Sequence, residues 1–158
     1  MNKCYIGIDP AFRSSGFAVC IIDEDNTVGF KMFKSFLDFL DWIYEAPDPK
    51  TSYVCVENSN LQQVTFNMSG NKRQVARTSR NVGANMAASQ YTYDACRRIW
   101  GANAFEVSPK EKGKKWTNTE YQHHIQANKH KVLKSTSNQD ERDAYKLALI
   151  ARKLSNKI

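Results

Sequence analysis

Lys3-Cys4-Tyr5-Ile6-Gly7-Ile8-Asp9-Pro10 decides how this chain is read. Tyr5, Ile6 and Ile8, with one Gly among them, form a strand that Pro10 stops. Its last residue is an acid, Asp9. Arg13-Ser14-Ser15-Gly16 follows as a turn cluster. Phe17 to Ile22 is a second, mostly buried strand, ended by Asp23-Glu24-Asp25-Asn26. Thr27 to Phe33 alternates weakly and makes a third. The chain therefore opens with two hairpins in series.

Ser35 to Glu45 places Phe36, Leu37, Phe39, Leu40, Ile43 and Tyr44 at helical spacing, with Ser35 as N-cap and Asp38 three residues on. Tyr53 to Glu57 is a short strand, central and parallel to the first. A strand–helix–strand crossover of this kind predicts a mixed α/β sheet. Asn58 to Arg80 is polar and basic and reads as a long loop or a mobile helix entry; Asn81 is a candidate cap for a helix that runs from about Val82 to Trp100 and stops at Gly101. Met86, Ala87, Tyr91, Ala95 and Ile99 stripe that helix, either against the sheet or as a dimer seam. Phe105 to Val107 is a strand, Lys110 to Lys115 a basic loop, and Asn118 to Lys131 a weak helix. Asp140 to Leu154 is a strongly apolar helix through Ala144, Leu147, Ala148, Ile150, Ala151 and Leu154. Nothing marks a second domain, so residues 1–158 are expected to form one.

The 158 residues carry 23 Lys and Arg against 16 Asp and Glu, a net charge of +7. A chain of this length buries about two-thirds of its unfolded surface and needs no disulfide or metal staple. With 41% apolar and 25% charged residues it has the composition of a soluble globular protein. The apolar run Phe17 to Ile22 is far short of the roughly 20 residues that span a bilayer, and Met1 to Tyr5 shows none of the long apolar segment expected of a signal peptide. The expectation is a cytoplasmic protein with no membrane partner. Cys4, Cys20, Cys55 and Cys96 show no CxxC spacing and read as reduced, mostly buried thiols. His123, His124 and His130 read as surface residues of a weak helix, and Trp42, Trp100 and Trp116 as packing. The positive charge points to a polyanion, foremost nucleic acid, because the cations cluster. Lys72, Arg73, Arg77 and Arg80 lie close together, as do Lys110, Lys112, Lys114 and Lys115.

Four acids stand in unusual places. Asp9 and Glu57 each end an apolar strand, and sites in open α/β sheets form at the carboxyl ends of strands. Asp140 and Asp143 open the last helix three residues apart, on one face. Taken singly, each has a plain explanation as a turn, strand-end or helix-start residue. Converged carboxylates repel unless a cation neutralises them. Oxygen donors without His or Cys suit Mg²⁺ or Mn²⁺, and two such ions form a phosphodiester-cleaving arrangement.

Ile6-Gly7-Ile8-Asp9-Pro10-Ala11 through Ser15-Gly16-Phe17-Ala18-Val19 resembles the "GIDPG…TGxxV" opening of the RuvC-type Holliday-junction resolvases. Val54-Cys55-Val56-Glu57 resembles their second motif. Asp140-Glu141-Arg142-Asp143-Ala144-Tyr145-Lys146-Leu147-Ala148 resembles their final DxxDAxxxA helix. Val107-Ser108-Pro109-Lys110, with Trp116 downstream, is similar to the "TPxxWKK" stretch of phage members, which suggests a viral origin and a host cytoplasm as location. Ala11 departs from the family's Gly, so the turn after Pro10 is expected to differ.

The resemblance implies an RNase H-like α/β fold with a five-stranded mixed sheet, its first three strands antiparallel, flanked by helices. It implies a homodimer that binds four-way DNA junctions and nicks them symmetrically, leaving 5′-phosphate and 3′-hydroxyl ends. Asp9, Glu57, Asp140 and Asp143 would be both catalytic and metal-ligating, holding two Mg²⁺ or Mn²⁺ ions with no small-molecule cofactor. Lys110, Lys112, Lys114 and Lys115 would grip phosphates, and Lys72, Arg73, Arg77 and Arg80 a duplex arm. Phe66 would probe the junction centre; its alternative is a core position. Two other readings stay open: an RNase H-fold nuclease for flaps, forks or RNA–DNA hybrids, and a non-catalytic nucleic-acid-binding protein on the same fold.

Overall fold

A computed structural model describes residues 2–11, 17–61, 70–134 and 137–158. The turn cluster at Arg13 to Gly16 and Phe66 lie outside them. Three strands run antiparallel in series: β1 (Cys4–Asp9), β2 (Phe17–Ile22) and β3 (Thr27–Phe33). β4 (Ser52–Glu57) lies parallel to β1 on its other side, and β5 (Ala104–Val107) lies parallel to β4. The sheet has six strands, in the order β5-β4-β1-β2-β3-β6, where five were expected. The sixth, β6 (Lys131–Val132), pairs parallel with Thr27 and Val28 of β3. Two residues are too few to show alternation, so no sequence pattern announces it.

Side chains alternate between the two sheet faces, as strand geometry requires. Ile6, Ile8, Phe17, Val19, Val54 and Val56 point to one face. They pack on Phe39, Trp42 and Ile43 of α1 (Phe36–Ile43) and on Cys96 and Trp100 of α2 (Lys72–Trp100). The opposite face carries Ala18, Cys20 and Cys55. It packs on α4 (Asn118–Ala127) through Tyr121 and Ile125, and on α5 (Gln139–Ser155) through Ala144, Tyr145, Leu147, Ala148 and Ala151.

Gly7 sets how close α5 comes. A Cβ built on it would lie 2.0 Å from the Ala144 carbonyl oxygen and 2.3 Å from the Ala148 nitrogen. Backbone therefore lies on backbone, with small residues on both sides. Asp9 is two residues beyond Gly7, and Glu57 two beyond Cys55, so both acids face the side that α5 covers.

The helix starts are chemically marked. Ser35 caps α1 as expected, accepting from the Asp38 N–H at 3.2 Å. α2 begins at an Asn71–Gln74 capping box, ten residues before the expected Asn81 cap. Its first turns are almost entirely exposed. They carry no apolar stripe, so periodicity could not reveal them. Gly101, at φ 55°, ends α2 as expected. Pro109–Lys112, expected in a loop, form one helical turn, α3, under a Ser108–Glu111 capping box. α5 starts at an Asn138–Glu141 box.

Ala11 has an ordinary backbone conformation: among the described residues only Asn26 and Lys129, apart from glycines, have positive φ. All four cysteines are free, three of them buried. His130, expected at the surface, is buried and lies beyond α4. Its Nδ1 is 2.7 Å from the Tyr145 hydroxyl, and its Nε2 is 3.3 Å from an Arg152 guanidinium nitrogen. Arginine only donates, so Nε2 must accept and the proton sits on Nδ1. No described helix is long and apolar enough to cross a membrane.

Candidate active site

Ile8 of β1 pairs in register with Val56 of β4. The next residues along, Asp9 and Glu57, are therefore side by side at the carboxyl ends of two parallel strands. α5 runs across the same end and brings Asp140 and Asp143 in its first turns. Asp9, Glu57 and Asp140 line one groove of about 340 Å³ together with Pro109 and, on its far wall, Val82, Asn85, Met86 and Ser89 of α2.

The charges are crowded. Burial, then the nearby Glu57, hold the Asp9 carboxyl well above the usual carboxylate range; Asp143 and Asp140 add to this, and Lys112 opposes it. Burial and Asp143 likewise raise Asp140, against Lys115 and Lys112. The carboxylates are thus short of positive charge.

Lys112 partly answers that shortage. It is buried, forms an ion pair with Glu57 Oε2, and lies 3.5 Å from Asp143 Oδ2. Apart from that pair, Glu57 Oε2 has no hydrogen-bond partner. Burial alone would depress the Lys112 ammonium; the charge of Glu57 and its hydrogen bond, then Asp9 and Asp143, outweigh it and raise the ammonium above its usual range. The other oxygen of Asp143 accepts from Gln139 Nε2 at 2.9 Å. Among the described residues, no three His, Cys, Asp or Glu side chains close on one point as a formed metal cage. Instead an ammonium stands between two of the acids. The donor set still suits a hard divalent cation: carboxylate oxygens only, with two acids whose charged forms are suppressed for want of a counter-charge.

The other sequence-predicted residues divide into groups. Lys110, Lys114 and Lys115 are exposed near the groove, whereas Lys112 is turned inward. The loop carrying them is strapped to α5: Arg142 donates to the carbonyl of Trp116 (2.9 Å), and Lys146 donates to that of Lys114 (2.6 Å). Trp116 is packing, as expected, stacked on His124 at 3.9 Å. Lys72, Arg73, Arg77 and Arg80 are exposed in the first half of α2, N-terminal to the residues that line the groove.

Sequence reasoning missed two contributions. One is the inward turn of Lys112; the Ser108-x-x-Glu111 capping signature was the available sign that Lys112 sits on a helical turn. The other is Asn58, which is buried. Its N–H donates to the Val107 carbonyl, and its amide donates to Glu106 (2.8 Å) and Gln90 (3.2 Å). Its Oδ1 accepts twice from Asn60, which in turn donates to the Met86 carbonyl. Asn58 thus ties the residue next to Glu57 to β5 and to the wall formed by α2.

No protein family profile matches the chain, and no curated protein matches it. Among solved structures it is similar to T. thermophilus RuvC, determined in complex with a Holliday junction substrate. The identity is 12%, the TM-score is 0.56, and the match covers 98% of this chain and 95% of that one. The likeness at this identity is one of architecture, and the chain has the RNase H-like fold of RuvC: a mixed sheet whose first three strands are antiparallel, with helices on both faces.

Proposed function

We propose that this protein is a divalent-metal-dependent endonuclease that resolves four-way DNA junctions as a homodimer, nicking symmetrically to leave 5′-phosphate and 3′-hydroxyl ends. The observation that carries this is the crowding of Asp9, Glu57, Asp140 and Asp143 beside one open groove, on a fold shared with a protein solved on a Holliday junction. Asp9, Glu57, Asp140 and Asp143 would hold two Mg²⁺ or Mn²⁺ ions. The chemistry supplied by ions held there would be a more acidic water and charge stabilisation at the leaving oxygen. The chain's own residues do the rest. Gln139 fixes one oxygen of Asp143, and Asn58 holds the end of β4. Lys110, Lys114 and Lys115 offer exposed charge to phosphates approaching the groove. Phe66 remains the candidate for stacking at the junction centre.

The test is cleavage of a labelled four-way junction by purified protein, beside duplex, flap and RNA–DNA hybrid controls, with Mg²⁺, Mn²⁺ or EDTA. Paired nicks on the junction, absent in EDTA and in Asp9→Asn, are the expected result. Cutting of the controls instead would move the function to a broader nuclease. Tight binding without cutting under either metal would leave a DNA-binding protein. Asp9→Asn should retain or gain DNA affinity, since one charge that repels phosphate is removed.

The same variant predicts a pH signature without metal. A carboxyl raised on folding contributes stability below its unfolded pKa and loses it as pH rises through the folded one. In EDTA the wild type should therefore melt lower as pH rises above about 4. The Asp9→Asn variant should show a flatter profile and a higher melting temperature at pH 7. An unchanged profile would place Asp9 outside the crowded set.

A further inference from the structure

From Asn58 to Tyr93 the sequence contains no Asp or Glu, yet it holds Lys72, Arg73, Arg77 and Arg80. All four are exposed, and none takes part in an ion pair among the described residues. Three unrelieved arginines one turn apart cost a few tenths of a kcal/mol per like-charged pair. Among the described residues nothing offsets this, so an anion outside the chain is the natural counterpart.

The direction they face is informative. Val82, Asn85, Met86 and Ser89 line the carboxylate groove from one sector of α2. At about 100° per residue, Arg73, Arg77 and Arg80 form a stripe centred roughly 160° around the helix from that sector, with Lys72 between the two faces. The stripe is about 10 Å long. A single phosphate or carboxylate would engage one end of it. A nucleic-acid backbone, with a charge every 3.4 Å or so of rise per strand, matches its whole length, and arginine is suited to paired bonds with phosphate.

We propose that α2 serves two DNA segments: its inner face walls the groove at the carboxylates, and the Arg73–Arg77–Arg80 stripe holds the backbone of a different duplex arm. A helix is about 10–12 Å thick, and one straight duplex cannot lie along both sides of it; two arms of a branched molecule can. The proposal rests on the junction reading above and adds which face meets which arm.

The test uses the full chain with Arg73→Gln, Arg77→Gln and Arg80→Gln combined, its fold checked by circular dichroism and melting. Binding to a four-way junction is measured with Ca²⁺ in place of Mg²⁺, as affinity against salt and as a hydroxyl-radical footprint. The wild type should protect backbone near the nick sites and a segment of another arm. The variant should lose only that second protection, bind the junction roughly tenfold more weakly at 0.1 M salt, and show a salt slope shallower by about 2–3. An unchanged slope and footprint would overturn the proposal. So would loss of protection at the nick sites themselves, which would put the stripe on the same arm, or a defect confined to anionic vesicles. A wild type that binds the junction no better than linear duplex would overturn the junction reading and this proposal together. A wild type that prefers the junction, with an unaffected variant, would overturn this proposal alone.

Discussion

α5 and α2 solve opposite problems. In its 17 residues α5 buries seven side chains, including Glu141 and Asp143, and it lies on β1 with backbone against backbone. In its 29 residues α2 buries five, all from Ala88 onward. The first helix holds carboxylates where a small displacement would change their mutual repulsion, so it is gripped along its length. The second extends well beyond its buried part, and its exposed first half is held by its cap. Fixed chemistry goes with small residues and close approach; reach goes with polar, propensity-driven helix.

The sharpest way to break this contrast is Gly7→Ala. The added methyl has no space between β1 and α5, and helix backbone cannot rotate aside like a side chain. A loss of about 3 kcal/mol or more in urea unfolding is expected, at the upper end of overpacking. A loss below about 1 kcal/mol would mean that α5 is held less tightly than its contacts indicate.

Next in size is Lys112→Met. Removing one partner of a buried pair leaves the other charge uncompensated, at a cost of roughly 3 kcal/mol near pH 8 without metal. The loss should shrink toward pH 4, as Asp9, already held above the usual carboxylate range, takes up its proton. Mg²⁺ should raise the variant's melting temperature more than the wild type's, because it meets a larger deficit of positive charge. Equal Mg²⁺ responses would show that the ammonium and the metal do not share the same acids.

The smallest effect tests α2. Asn71→Ala removes its cap, worth about 1 kcal/mol locally. Amide exchange should quicken over Lys72 to Arg77, while global unfolding stays the same. A global loss would mean that the first half of α2 is coupled to the core.

This contrast also explains what could be read from sequence. β2 and β3 were legible to the residue, and β1, β4 and α5 nearly so, because a buried face imposes a period. Ser35 was legible because capping chemistry is local. The first ten residues of α2 were not, since none of them is buried among the described residues and no apolar period marks them; only Asn71-x-x-Gln74 marked their start. β6 depends on one short pairing with β3, and His130 is buried through Tyr145 and Arg152, partners distant in sequence. That Lys112 alone among its neighbouring lysines turns inward depends on the one-turn helix that carries it. The acids stood out by position, but their crowding is a property of register and of Gly7.

The Asn138–Glu141 capping box of α5 has a consequence for how this site can change. Helix starts commonly spend an acid on their free N–H groups. Here a neutral Asn and an inward-facing Glu meet that demand, and Glu141 is further held by Lys134 at 2.6 Å. Asp140, one residue away, carries no part of the duty. It can be exchanged for an amide without unwinding the helix that presents it. The charge of the carboxylate cluster could therefore change while the shape is kept, by a substitution that the fold does not register.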